Sequence, residues 1–122
     1  AAQRLLNEAA RYLGTPYVWG GYSPSGFDCS GFVSYCLTNS GVRNTGRLTA
    51  QGLYNICTPV SQSEAQPGDL IFFTGTYDAG EPVTHIGIYV GNDQMIHCGH
   101  PVQYTSINSP YWQSHFYGFG RW

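Results

Sequence analysis

The apolar residues of this 122-residue chain change their spacing partway along, and that change limits the fold more than any other feature. In the first third they recur at a helical interval. Over residues 3–13, Leu5, Leu6, Ala9, Ala10 and Leu13 share one side of a helix. Gly14 is a natural stop and Pro16 forbids continuation. A second helix begins at Asp28, a good N-cap, carries the stripe Cys29, Phe32, Val33, Cys36 and Leu37, and ends at Asn39-Ser40-Gly41. A short third helix starts at Thr49 and carries Leu53, Tyr54 and Ile56. After the turn Gln66-Pro67-Gly68-Asp69 the pattern becomes that of strands. Leu70–Thr74 reads as a short central strand, and Val83–Val90 alternates, with Val83, His85, Gly87 and Tyr89 on one face. Gln94–Cys98, Tyr104–Ile107 and Phe116–Arg121 are the remaining strands. Helices first and strands later predict an α+β domain, a mostly antiparallel sheet of about five strands with helices on one side.

The length corresponds to a single domain spanning residues 1–122. Its charge balance narrows the partners. Only 10% of residues are charged, the five cations are all Arg, and the net charge is −2. No basic patch exists to bind duplex nucleic acid, which rewards clustered cations. Three Trp, ten Tyr and six Phe supply ample surface to bury, which disordered chains lack. The longest apolar run, Leu70–Phe73, is far short of the ~20 residues of a membrane helix, so this segment does not insert into a membrane. The one methionine is Met95, so the chain is expected to be a processed product or an excised domain, with any export signal outside it. Four cysteines in a domain that needs no staples are expected to be free thiols rather than two disulfides.

The strongest local feature is Asp28-Cys29-Ser30-Gly31. A cysteine in the first turn of a helix meets unpaired N–H groups and the positive end of the macrodipole, both of which favour the attacking thiolate. Gly31 lets another backbone or a substrate approach. Taken alone, Cys29 also fits as the first member of an apolar stripe. A nucleophilic cysteine needs a base and a group to orient that base. His85 lies mid-strand with Gly87 two residues on, a pattern that also suits a histidine on the solvent side of a sheet. His97 shares the face of His85 if Gly91-Asn92-Asp93 is a three-residue loop; a two-residue Asn-Asp loop puts it on the other face. The three-residue loop is the expectation, with His97 accepting the Nδ1–H of His85. His100 and His115 are expected at the surface. In the loop Tyr17-Val18-Trp19-Gly20-Gly21, Tyr17 can offer its O–H to an oxyanion, or simply cap the core.

In order, Tyr17–Gly21, Asp28-Cys29-Ser30-Gly31-Phe32-Val33, Gln66–Phe73, Thr84-His85-Ile86-Gly87-Ile88-Tyr89 and Met95-Ile96-His97 resemble the successive motifs of the NlpC-type cell-wall cysteine peptidases. The resemblance implies a papain-like fold, a helix carrying the cysteine packed on an antiparallel sheet. It implies a thiol endopeptidase of bacterial peptidoglycan stem peptides, acting at the γ-D-glutamyl–diamino acid bond, secreted or cell-wall associated, monomeric, and without metal or organic cofactor. By the same resemblance Cys29 is the nucleophile, His85 the base and His97 the third residue. Tyr17 and the Cys29 N–H stabilise the oxyanion, and Asp28, Ser30 and Trp19 meet the substrate. Arg47 and Thr49 belong to Arg47-Leu48-Thr49-Ala50-Gln51, which is similar to the family's Arg-x-Ser segment with Thr for Ser. Three other classes compete: an amidase or acyltransferase on the same fold, a zinc site built from His97-Cys98-x-His100 with Cys29 and His85, and a non-catalytic wall-binding module. The peptidase reading also expects a resting thiolate–imidazolium pair. Cys29 would then be the most reactive thiol, with Cys36 and Cys98 buried and Cys57 the competitor.

Overall fold

A computed structural model describes residues 1–122. Helix α1 (Ala2–Ala10) buries Leu5 and Ala9, and its end falls before Leu13, which is exposed; the chain leaves the helix through turns to Gly14. The buried Glu8 on its inner side accepts from Asn39 Nδ2 at 2.8 Å and from the Tyr12 hydroxyl, tying α1 to the end of α2 (Cys29–Asn39). Helix α2 keeps the expected stripe but is buried over most of its surface, because α1, α3 (Ala50–Ile56), a small ribbon of β1 (Tyr22–Ser23) with β2 (Gly26–Phe27), and the main sheet all pack on it. Thr49 caps α3, its hydroxyl accepting from Gly52 N at 3.0 Å.

The main sheet is antiparallel, with strands β3 (Thr58–Val60), β4 (Leu70–Thr74), β5 (Val83–Gly91), β6 (Gln94–Cys98), β7 (Val102–Ser106) and β8 (Phe116–Arg121) in the order β3-β8-β4-β5-β6-β7. It has six strands, one more than expected, the addition being the short edge strand β3. The central place of β4 explains its unbroken apolar run. Leu70 and Phe72 join the helix-side core, while Ile71 and Phe73 face the other side with Met95, Ile107 and Phe119. Each such side chain, fully buried, contributes about 1.5–3 kcal/mol. That second face is not bare: α4 (Pro110–His115) covers part of it, with Trp112 packed on the cluster, so helices lie on both sides rather than one.

Two irregularities in β5 set the site. A bulge opposite Phe73/Thr74 puts Val83 in the helix-side core with Ile86 and Ile88, instead of on the face of His85. The hairpin to β6 closes with a two-residue turn, Asn92-Asp93, both at positive φ, as tight hairpins require. The three-residue loop is therefore wrong, yet a bulge between Tyr89 and Gly91 restores the offset, so Ile88 pairs with Ile96 and His97 lies on the face of His85. Gly87 makes room for this. A Cβ there would stand 3.2 Å from His97 Cβ and 2.9 Å from Met95 Sδ.

Candidate active site

The order of pairing brings nucleophile and imidazoles together. Beyond Ile88 toward its N-terminal end, β5 no longer pairs with β6, and the N-terminus of α2 fills the gap. Asp28 caps α2, its Oδ1 accepting from Gly31 N at 2.6 Å. Gly31 is required by close approach: a Cβ would meet the Gly21 carbonyl oxygen at 1.9 Å. The Gly21 carbonyl in turn accepts from Asp28 N, and Gly20 N donates to Asp28 Oδ2 at 3.1 Å. The Tyr17–Gly21 loop is thus sewn to the first turn of the cysteine helix.

Cys29 is half-buried at the floor of a groove of about 480 Å³. Its thiol contacts the Thr84 carbonyl at 3.8 Å, immediately before His85 in the chain, and the N–H groups of Ile86 and Ser30 point at the sulfur. No hydrogen bond joins the thiol to an imidazole. Behind it, His85 Nε2 lies 2.9 Å from His97 Nδ1, and His97 Nε2 lies 2.8 Å from the Thr105 hydroxyl. One assignment of protons satisfies the whole chain and leaves a base: His85 donates from Nε2, His97 donates from Nε2 to Thr105, and His85 Nδ1 keeps its lone pair. The nitrogen facing His97 is therefore Nε2, not Nδ1 as expected.

Burial works against the expected resting ion pair. Burial, helped by the Asp28 carboxylate, pushes the Cys29 thiol up to about 11, against the Ile86 and Ser30 N–H groups and Arg47, which favour the thiolate. Burial pushes His85 down to about 3, with His97 adding to the effect, and pushes His97 down to about 4. Burial thus favours a thiol at Cys29 and neutral imidazoles at His85 and His97. Consequently, iodoacetamide labelling of Cys29 without substrate should climb steadily with pH, about tenfold per unit between pH 7 and 9, because only the thiolate reacts. A peptide map at each pH reads this, and a rate already level from pH 5 upward would restore the ion pair. All four cysteines are free, as expected; Cys36 and Cys98 are buried, and burial raises Cys57 to about 11 and Cys98 to about 12. Cys98 Sγ lies 3.2 Å from the Phe27 carbonyl oxygen in the helix-side core.

The substrate-facing residues converge on the groove, but several are already engaged. Tyr17, Trp19, Asp28, Ser30, Arg47 and Thr49 all line it. Arg47 donates to Asp28 Oδ2 at 2.7 Å and to Ser30 Oγ at 2.9 Å, so Asp28 holds an internal cation and Ser30, almost wholly buried, braces it. Thr49 uses its hydroxyl as the α3 cap. The Tyr17 hydroxyl has no partner within the chain, and burial next to Cys29 and Asp28 raises it to about 12, which keeps it a donor. The Cys29 N–H, at the first helical position, has no intrahelical acceptor. Trp19 is exposed and meets Tyr77 edge-on at 5.5 Å.

Some of the site escaped sequence reasoning. Tyr77, Asp78 and Glu81, from the loop between β4 and β5, form one wall of the groove. Trp112 stacks on His85 with ring centres 5.1 Å apart and planes at 30°. Ser109-Pro110, an N-cap followed by proline, was the available signal for its helix. His115 is half-buried, its Nδ1 2.8 Å from the Thr74 carbonyl oxygen, while the exposed His100 packs against Tyr17. The zinc alternative does not fit the donors. His97 and Cys98 lie on opposite faces of β6, and no three His, Cys, Asp or Glu side chains stand close enough to share an ion. A larger hollow of about 610 Å³ lies elsewhere, near Arg43, Thr58 and Trp122, and holds no nucleophile.

Comparison with known proteins places the chain in a family. The profile of the NlpC/P60 family matches residues 14–121. The chain is 43% identical over 121 residues to the bifunctional muramidase/DL-endopeptidase CwlT of Bacillus subtilis, covering 98% of this chain and 36% of that protein. It is 47% identical over 118 residues to the probable endopeptidase p60 of Listeria seeligeri, covering 96% of this chain and 21% of that protein. The chain thus spans only about a third and a fifth of these relatives. Among solved structures, a lipoprotein-like NLP/P60 family protein of Staphylococcus aureus superposes with a TM-score of 0.92 at 43% identity, over 98% of this chain and 40% of that one.

Proposed function

The chain belongs to the NlpC/P60 family, and from that premise we propose that it is a peptidoglycan hydrolase, a cysteine endopeptidase that cuts the stem peptide at the γ-D-glutamyl–diamino acid bond. The observation that carries this reading is Cys29 at the helix N-terminus, its sulfur 3.8 Å from the carbonyl of the residue before His85, which heads the His85–His97–Thr105 chain. The DL-endopeptidase named among the relatives supports the choice of bond. Cys29 is the nucleophile, His85 the base and His97 the residue that orients it.

In the proposed reaction, substrate enters the groove and the Cys29 sulfur attacks the amide carbon as its proton passes to His85 Nδ1. The Cys29 N–H and the Tyr17 hydroxyl hold the oxyanion. The C–N bond breaks and His85 returns the proton to the leaving amine. Water then attacks the thioester, giving its proton to His85, and the thiol is regenerated with release of the acid. Because Asp28 is paired with Arg47, a free stem amine would meet an Asp28–Arg47–Ser30 unit rather than a lone carboxylate. Trp19 supplies an apolar wall. The domain acts as a monomer outside the cell, at the wall.

Every step uses side chains already present. EDTA should therefore leave hydrolysis of a synthetic L-Ala-γ-D-Glu-diamino acid peptide unchanged, while iodoacetamide should abolish it. Inhibition by EDTA that zinc restores would contradict the thiol mechanism.

A further inference from the structure

We infer that Trp112 is a positioning residue for the reaction, its indole acting as the wall that holds the His85–His97 pair in register from the side of the sheet opposite the nucleophile helix. The inference rests on the peptidase reading for its consequence in turnover, and on geometry for its cause. His85 is clamped between groups from separate elements. Trp112 stacks on it from α4, Phe73 of β4 lies 6.0 Å away at a tilt, and His97 of β6 meets it edge-on at 5.2 Å. Trp112 also meets His97 at 5.3 Å with the planes at 89°. One indole therefore presents its face to the first imidazole and contacts the second at right angles.

Its own place is fixed from both ends. Ser109 caps α4, its hydroxyl accepting from Trp112 N, and Gln113 Nε2 donates to the Ile107 carbonyl at 2.7 Å. Phe73 packs on the ring at 4.7 Å. No charged side chain comes between these rings. The titratable groups around His85 are His97 and, at the groove, Cys29. Those of α4, Tyr111 and His115, pack on each other at 4.5 Å, and His115 is bonded to the Thr74 carbonyl. The indole thus excludes water from the imidazoles and blocks rotation of His85 away from His97. Both effects keep the His85–His97 pair neutral and in register, and the second needs a flat ring, which an apolar side chain of other shape does not supply.

The test compares Trp112→Leu, which keeps apolar bulk but removes the plane, with Trp112→Phe, which keeps a ring. In Trp112→Leu, kcat on the synthetic stem peptide should fall about tenfold or more while KM stays within twofold. The acid limb of kcat/KM should move up by about one pH unit as His85 becomes better solvated. Trp112→Phe should recover most of the loss. Imidazole titration followed by NMR on protein with labelled histidine reads the same shift without any substrate. Unchanged imidazole titration and unchanged kcat in folded Trp112→Leu would overturn the inference. If that variant does not fold, the same titration in Trp112→Phe decides, a smaller upward shift supporting the role and no shift refuting it. Failure of the wild-type protein to cut any stem peptide would refute the peptidase reading instead, and the imidazole titration would still decide the role of Trp112.

Discussion

Cys29→Ala is expected to remove turnover by about 10³-fold or more while leaving the fold and its melting temperature nearly unchanged. Loss of the sulfur removes the only atom that forms the acyl bond, and what remains is binding and the oxyanion donors. The fold should tolerate the change for specific reasons. The thiol makes only weak contacts, with the Thr84 carbonyl at 3.8 Å and the Ile86 and Ser30 N–H groups, and its side chain is not part of the fully buried core. Alanine is a good helix former at this first helical position, and the cap from Asp28 to Gly31 N does not involve Cys29. Initial rates with melting curves measure both halves. A well-folded variant that still releases peptide near the wild-type rate would show the nucleophile to be elsewhere.

His85→Ala should cost on the order of 10³-fold, and His97→Asn one to two orders less, because positioned proton transfer contributes about 10²–10⁴ and orientation only part of that. His85 carries the lone pair that takes the thiol proton. His97 fixes its tautomer by accepting from Nε2, and an Asn oxygen at that place can accept the same hydrogen bond. Asparagine is the fairer substitution than alanine at position 97. His97 is only 3% exposed and bonded at both nitrogens, so its truncation would leave a cavity and orphan the Thr105 hydroxyl. Equal and complete loss in a folded His97→Asn protein would mean that His97 itself moves the proton.

The parts of this site written in local spacing were legible. Asp28 before an apolar stripe announced the cap and the helix, and the alternation around His85 announced its strand. Register was harder. The two-residue turn at Asn92-Asp93 by itself would send His97 to the wrong face, and the bulge between Tyr89 and Gly91 reverses that. Spacing counts only the sum of the two, so His97 was placed on the right face by the wrong loop. Short elements escaped for a related reason: Thr58–Val60 and Pro110–His115 are too brief to show a period, and the latter was marked only by Ser109-Pro110. Protonation was the least legible property. A helix N-terminus is visible in sequence, but the burial that keeps His85 neutral comes from Phe73 and Trp112, segments far apart in the chain, which meet only in the folded molecule.

Mass spectrometry of purified muropeptides, digested in parallel with the wild-type domain and with Cys29→Ala, bears most directly on the central claim. The wild-type digest should gain disaccharide-L-Ala-γ-D-Glu and a peptide beginning at the diamino acid, and the Cys29→Ala digest should match the undigested control. Products cut at any other bond, or the same products from Cys29→Ala, would contradict it.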